Sequence, residues 1–267
     1  MSGHDNEGLE SGNRFISRIE TEPGIENALQ RSVSPPADDD DELTQQRKKI
    51  AIAQQQSERE RFLKRYQLAI LGYLGAFLRD QDAVDAVWDK FVDKWLDGKL
   101  GTYDPNRSFR RFLKEVLRND VYAYWNTKRR EQQRGNFRLD SAFEHEDDLD
   151  RTASEVFDCN LRDEILEQAL ESMDPGSPGH QLISLLTEAA ISGNPLPDTE
   201  ELARIFGISP DAARQRLHRS RKLYADKIIE QVVQLIHSRN LEHVRETLID
   251  LDLLKYCKKA LEQLEAE

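Results

Sequence analysis

Two cysteines in 267 residues, Cys159 and Cys257, stand alone, with no CxxC pair anywhere. That excludes a disulfide framework and a cysteine-based zinc or redox site. The six His are scattered without metal-ligand spacing, and the chain has no Gly-rich phosphate loop and no nucleophile motif. A nuclease or phosphodiesterase would find no machinery here, so no enzyme activity, metal or cofactor is expected. Long apolar runs are missing too. The longest, Leu68 to Leu78, is about half of the ~20 residues a spanning helix needs. The opening MSGHDNEGLE is acidic and polar, without a basic or apolar leader segment, so no secretory signal is expected. The expectation is a soluble, cytoplasmic protein with no membrane partner.

Strand patterning is also absent, since no stretch alternates apolar and polar residues. Helical periodicity takes its place. It runs from Leu43 through Leu78, and again over Asp80 to Leu96, where Val84, Val87, Trp88, Phe91 and Trp95 recur at steps of three and four. Gly98 to Pro105 reads as a loop, and Ser108 to about Arg130 as a further long helix. Helical spacing resumes from Leu161 to Met173, breaks at Asp174 to Gly179, and returns over His180 to Ile191. Two short helices separated by Gly207 follow, then one or two amphipathic helices from Ile228 to Glu267. The 13 Gly and 9 Pro fall mostly in the tail and in these breaks. The fold class is all-α. Residues 1–42 form a disordered acidic tail, and residues 43–135 a first helical domain. An acidic linker occupies 136–160. A helix-turn-helix domain covers 161–229, and a C-terminal helical extension 230–267.

A third of the residues are charged and the net charge is −12, which by itself argues against nucleic acid. The layout says otherwise. Met1 to Gln46 holds 11 acids against 3 bases, and Leu139 to Pro175 holds 13 against 2. Between them, Arg107 to Arg138 carries 10 bases and 3 acids, and Arg204 to Lys227 carries 7 and 2. Two basic islands in an acidic chain are the footprint of a polyanion-binding surface, whatever the total.

On a wheel of 100° per residue, Lys114, Arg118, Tyr122, Trp125 and Arg129 all fall within about 60° of Arg111. Phe109, Phe112, Leu113, Val116, Leu117, Val121 and Tyr124 lie opposite. Cations neutralise phosphates and aromatic faces stack on unpaired bases, at ~1–3 kcal/mol per base. The combination suits a melted or single strand. The plainer alternative is that Tyr122 and Trp125 cover neighbouring apolar surface while the cations are merely solvated.

The second island reads DTEELARIFGISPDAARQRLHRSRKLY. Asp198 and Glu201 have capping-box spacing. Ala203 is small where crossing helices touch, and Gly207 can take the positive φ of a tight turn. Ser209, Pro210 and Asp211 are suited to open the next helix. Ile205, Ile208, Ala213 and Leu217 are the expected small core. Asp211, Arg214, Gln215, His218, Arg219 and Lys222 are left outward, and Arg and Gln read base edges in a major groove. An ordinary helical hairpin in a bundle is the alternative.

Taken together, the stretches RFLKRYQLAILGYLGAFLRDQDAVDAVWDKFVDKWLDGKLGTYDPNRSFRRFLKEVLRNDVYAYWNTKRR and ELARIFGISPDAARQRLHRSRKLYADKI resemble bacterial sigma factors of the extracytoplasmic-function type. The YDPNRSFRRFL segment is similar to the version in a large ECF-like subfamily. The resemblance covers about Arg61–Arg134 and Leu161–Ile229. It implies two helical domains, region two and region four, joined by a linker that threads the product-RNA channel. The helix Asp82–Leu96 would dock on the clamp helices of the largest subunit of core RNA polymerase, with Asp85, Asp89, Lys90, Asp93 and Lys94 as its outward charges. Ser108–Arg130 would open and read the downstream promoter element through Arg111, Lys114, Arg118, Tyr122, Trp125 and Arg129. Ser209–Tyr224 would read the upstream element as duplex DNA. An anti-sigma factor is a further expected partner. Two other readings remain: a stand-alone helix-turn-helix regulator, and a sigma mimic that sequesters an anti-sigma factor.

Overall fold

The computed structural model describes residues 42–100, 108–135, 146–236 and 240–266, and among these every regular element is an α-helix. They are α1 (Glu42–Leu78), α2 (Gln81–Leu96), α3 (Phe109–Gly135), α4 (Glu146–Glu171), α5 (Pro178–Ile191), α6 (Thr199–Phe206), α7 (Pro210–Ile236), α8 (Leu241–Asp250) and α9 (Leu254–Glu265). No described helix is long and apolar enough to cross a membrane. The expected tail up to residue 41, residues 101–105 of the expected loop and residues 136–145 of the expected linker lie outside the described residues. The chain divides into two compact units between Leu161 and Arg162, a boundary that falls inside α4.

The unit that ends at Leu161 contains α1, α2, α3 and the first part of α4. Phe62, Tyr66, Ala69, Ile70, Tyr73, Leu74 and Phe77 put one continuous stripe of α1 into its core at steps of three and four. Ala83, Val84, Val87, Phe91 and Trp95 of α2 meet it, as do Leu113, Leu117 and Val121 of α3. Trp95 packs its indole, tilted by 31°, against Phe62, 4.0 Å between centroids. Its Nε1–H donates to the Arg59 carbonyl oxygen at 2.9 Å, so the buried indole nitrogen is satisfied.

Residues 146–160, expected as linker, instead belong to this core, and that expectation is corrected. Ala153, Phe157 and Leu161 are fully buried. Together with Leu149 they recur every fourth residue, the spacing of one helical stripe. Gly72 of α1 allows the approach: a Cβ there would collide with the Asn160 amide and sit 3.0 Å from Val156 Cγ1. In that gap Asn160 Nδ2 donates to the Leu68 carbonyl oxygen at 3.1 Å.

The second unit is built around α7. Here too the boundary drawn at 229/230 is corrected, because α7 runs unbroken from Pro210 to Ile236. Its second half buries Ile228, Ile229, Val232, Val233 and Leu235. Helices α8 and α9 pack on α7 with Val244, Leu248, Leu251, Leu253, Cys257 and Leu261 buried. The C-terminal extension therefore completes this unit's core. The Cys257 thiol is pushed up to about 12, chiefly by burial and then by nearby Asp226. Tyr224 spans to α4, donating its hydroxyl to the Leu166 carbonyl oxygen at 3.0 Å.

Candidate nucleic-acid interface

The turn between α6 and α7 carries its local chemistry in the sequence. Asp198 Oδ1 caps α6 by accepting from the Glu201 amide at 2.8 Å. The helix ends at Gly207, at φ 63° and ψ 37°, a left-handed conformation in which a Cβ is strained. The Ile208 amide returns to the Ala203 carbonyl oxygen at 3.0 Å. Ser209 Oγ then accepts from the Ala212 amide at 3.2 Å, and Pro210 opens α7. Beneath the turn lie Leu202, Ala203 and Ala213, flanked by Leu185, Phe206, Ile208 and Leu217. Ile205, expected in this core, is 52% exposed. The α6 core face is centred on Leu202, Ala203 and Phe206, and Ile205 lies roughly 100° away from it on the wheel.

All six residues assigned to the recognition helix are exposed on the first half of α7: Asp211, Arg214, Gln215, His218, Arg219 and Lys222. Arg214 Nη1 lies 3.1 Å from Asp211 Oδ1, a surface pair one turn apart. Such a pair is worth less than about 1 kcal/mol and yields readily to another partner. Arg216, outside the expected outward set, lies with its guanidinium 5.1 Å from the Phe206 ring centroid. It borders, with Gln215 and Arg219, an open cleft whose far wall is Ser177–Gly179 at the start of α5. Ser177 Oγ accepts from the His180 amide at 3.1 Å, so cations face a capped helix N-terminus. That edge suits an anionic backbone.

On α2, Asp85, Asp89, Lys90 and Asp93 are exposed, and Asp85 accepts a 2.8 Å hydrogen bond from Gln81. Lys94 departs from the expected row. Its ammonium pairs with the carboxylate of Asp120 on α3, which is only 3% exposed. Lys94 therefore ties α2 to α3 instead of pointing outward.

The face assigned to α3 is divided by the structure. Arg111 and Arg129 are exposed, on an arc shared with Glu115, Asn119, Asn126 and Arg130. Lys114 and Arg118 turn toward α4, and there the expected outward placement is corrected. Lys114 Nζ donates to Asp158 Oδ2 and to Ser154 Oγ, both at 2.7 Å, and sits 5.2 Å from the Phe157 ring centroid. Arg118 Nη1 donates to Asp150 Oδ2 at 3.2 Å, while the other oxygen of Asp150 accepts from the Tyr73 hydroxyl at 2.9 Å. Burial, then that hydrogen bond, hold the Tyr73 phenol well above its ordinary value. Arg110 adds an ion pair to Asp158 at 3.3 Å. Tyr122 and Trp125 are half-buried, both edge-on to Phe77, the latter at 5.8 Å. The plainer alternative for these two aromatics, that they cover apolar surface, is what the packing displays. The displacement has one cause: a fourth helix occupies the arc that a three-helix arrangement would have left to solvent.

No described group of His, Cys, Asp and Glu is arranged to hold a metal ion. No family model, curated protein or solved structure matches the chain.

Proposed function

We propose that the chain is a promoter-specificity (sigma) subunit of bacterial RNA polymerase, doing no chemistry of its own. The observation that carries this reading is the exposed row Arg214, Gln215, His218, Arg219 and Lys222 on α7, presented beside the Gly207 turn. Such a row can enter a major groove, where Arg and Gln make paired hydrogen bonds to base edges. The cleft edge at Arg216, Arg219 and the α5 N-terminus would take a phosphate and set the register. On α2, Asp85, Asp89, Lys90 and Asp93 would dock on the clamp helices of the largest polymerase subunit. On α3, Arg111 and Arg129 lie along the exposed arc, with Trp125 and Tyr122 at its margin, for the opened strand. An anti-sigma factor would compete for one of these surfaces.

A stand-alone duplex-binding regulator is the second reading. The engagement of Lys114 and Arg118 by α4 favours it, since it leaves α7 as the more accessible basic row. Footprinting a polymerase complex on promoter DNA separates the two. The sigma reading expects an upstream duplex footprint and permanganate-reactive thymines downstream. Arg214→Ala or Arg219→Ala should weaken the upstream contact by about 1–3 kcal/mol if the residue pairs with a base. A footprint unchanged by either substitution removes the recognition-helix assignment, and duplex binding that ignores polymerase selects the regulator.

A further inference from the structure

We propose that the acidic first half of α4 is a built-in competitor for nucleic acid, holding the Lys114–Arg118 edge of α3 closed until single-stranded DNA displaces it. The inference rests on the reading of α3 as a strand-binding helix and adds regulation to that same surface. Three observations carry it.

The chemistry at the edge is that of a phosphate contact. Asp150 and Asp158 offer carboxylate oxygens to Arg118 and Lys114 at 3.2 and 2.7 Å, and Arg110 joins Asp158 at 3.3 Å. Charge-assisted pairs of this kind are what these cations would make with a DNA backbone. The Ser154 hydroxyl at Lys114 completes a polar strip that copies a strand's row of acceptors.

The covering is the part of α4 that belongs to this unit. It is a single helical stretch, with Asp148, Arg151, Thr152 and Glu155 exposed on its outer face. Its apolar attachment is a single stripe, Leu149, Ala153, Phe157 and Leu161, with Val156 half-buried at Gly72. The unit boundary follows directly after Leu161. Opening the seam and its polar clasp would uncover Phe157 and the Tyr66 and Tyr73 rings against it, while α1, α2 and α3 keep Ile70, Phe91, Trp95, Leu113 and Leu117 as a core of their own.

The strip also covers the part of α3 that a strand would otherwise follow. Arg111 lies toward one end of it and Trp125 and Arg129 toward the other, so a strand that gained Lys114 and Arg118 would run along α3 between these exposed groups. A competitor placed there sets how strongly DNA binds before opening, because a ligand shifts a two-state equilibrium only by its differential affinity.

The test titrates the full chain with a labelled, mixed-sequence single-stranded DNA of about 15 nucleotides, long enough for one binding groove. Asp150→Asn/Asp158→Asn is expected to bind roughly tenfold more tightly than wild type. Its salt dependence should steepen by about 1.4 log units per log unit of salt, two phosphates at ~0.7 each on a single strand. Adding Lys114→Ala/Arg118→Ala in the same chain should abolish that gain. Unchanged or weaker binding by a variant with intact helical circular dichroism overturns the proposal. Should the variant fail to fold, hydrogen exchange on wild type decides. Amides of 148–158 losing protection when the oligonucleotide is added support displacement, and retained protection with DNA bound overturns it. Polymerase-dependent transcription with unaltered DNA affinity sinks the competitor alone, whereas no single-strand binding by any variant sinks both readings of α3.

Discussion

Replacing Phe157 by Ala separates a linker from a core helix more sharply than any other single change. The ring is completely buried, with centroids 6.4 Å from Tyr66 and 6.3 Å from Tyr73, and Lys114 lies over it. Burying a Phe side chain contributes about 1.5–3 kcal/mol by transfer alone. The cavity left by truncation raises the usual Phe→Ala cost to about 3–5 kcal/mol. Loss of the ammonium–ring contact adds about 0.5–1 kcal/mol at a partly exposed site. A Phe in a solvated linker would cost less than about 0.5 kcal/mol. The assay is convenient because Trp88, Trp95 and Trp125, the chain's 3 tryptophans, all lie in the unit that ends at Leu161. Tryptophan fluorescence in urea thus follows that unit without requiring the whole chain to unfold in one step. With a slope of about 2 kcal/mol per molar urea, the midpoint should fall by about 2 M. A midpoint shifted by less than about 0.3 M would refute the placement of residues 146–161 in the core, and with it the account of Lys114 and Arg118.

Three further expectations follow from individual contacts. Lys94→Ala strands the buried Asp120 carboxylate and should destabilise the same unit by about 1–3 kcal/mol, discounted from the 3–5 of a fully buried pair because Lys94 is a third exposed. Lys94→Ala/Asp120→Asn should recover part of the loss in urea melts, and an undiminished stability of the single variant would return Lys94 to the docking row. Gly207→Val, forced into φ 63°, should cost about 1–2 kcal/mol in the thermal unfolding of the second unit; no change in melting would mean that the turn is not left-handed. Burial raises the Asp226 carboxyl above its ordinary value, against smaller opposing effects of Lys222 and Lys227. The folded state thus favours the protonated form, and this group's share of stability is present at low pH and lost as pH rises through the raised value. Asp226→Asn should accordingly raise the melting temperature more at pH 7 than at pH 4, and a lower melting temperature at pH 7 would contradict the burial argument.

The turn between α6 and α7 was legible because its signals are local. Asp198, Gly207, Ser209 and Pro210 each act within one turn of their own position, and the structure uses each in the role its chemistry suggests. The misplacement of Ile205 has a different origin: an eight-residue helix offers too few apolar positions to set its phase, and Leu202 and Phe206 decided it. Residues 146–160 escaped notice because their charge masked their periodicity. Leu149, Ala153, Phe157 and Leu161 stand at steps of four, yet Ala153 is small and charged or polar residues fill most places between. The roles of Lys114, Arg118 and Lys94 could not be read from one helix at a time. A wheel assigns an outer face only when the number of neighbouring helices is known, and here the fourth was unrecognised. The continuity of α7 through 229/230 was hidden similarly, since Ile228 to Leu235 looks like a new amphipathic start until α8 and α9 cover it.

The proposed role of this chain is to confer promoter choice on RNA polymerase. Its most direct test is transcription by bacterial core polymerase from a pool of genomic fragments, with and without the purified chain. The expected transcripts require the chain, start downstream of a shared upstream duplex sequence, and disappear with Arg214→Ala/Arg219→Ala. Transcription that is the same with and without the chain, together with no co-elution of chain and polymerase, would contradict it.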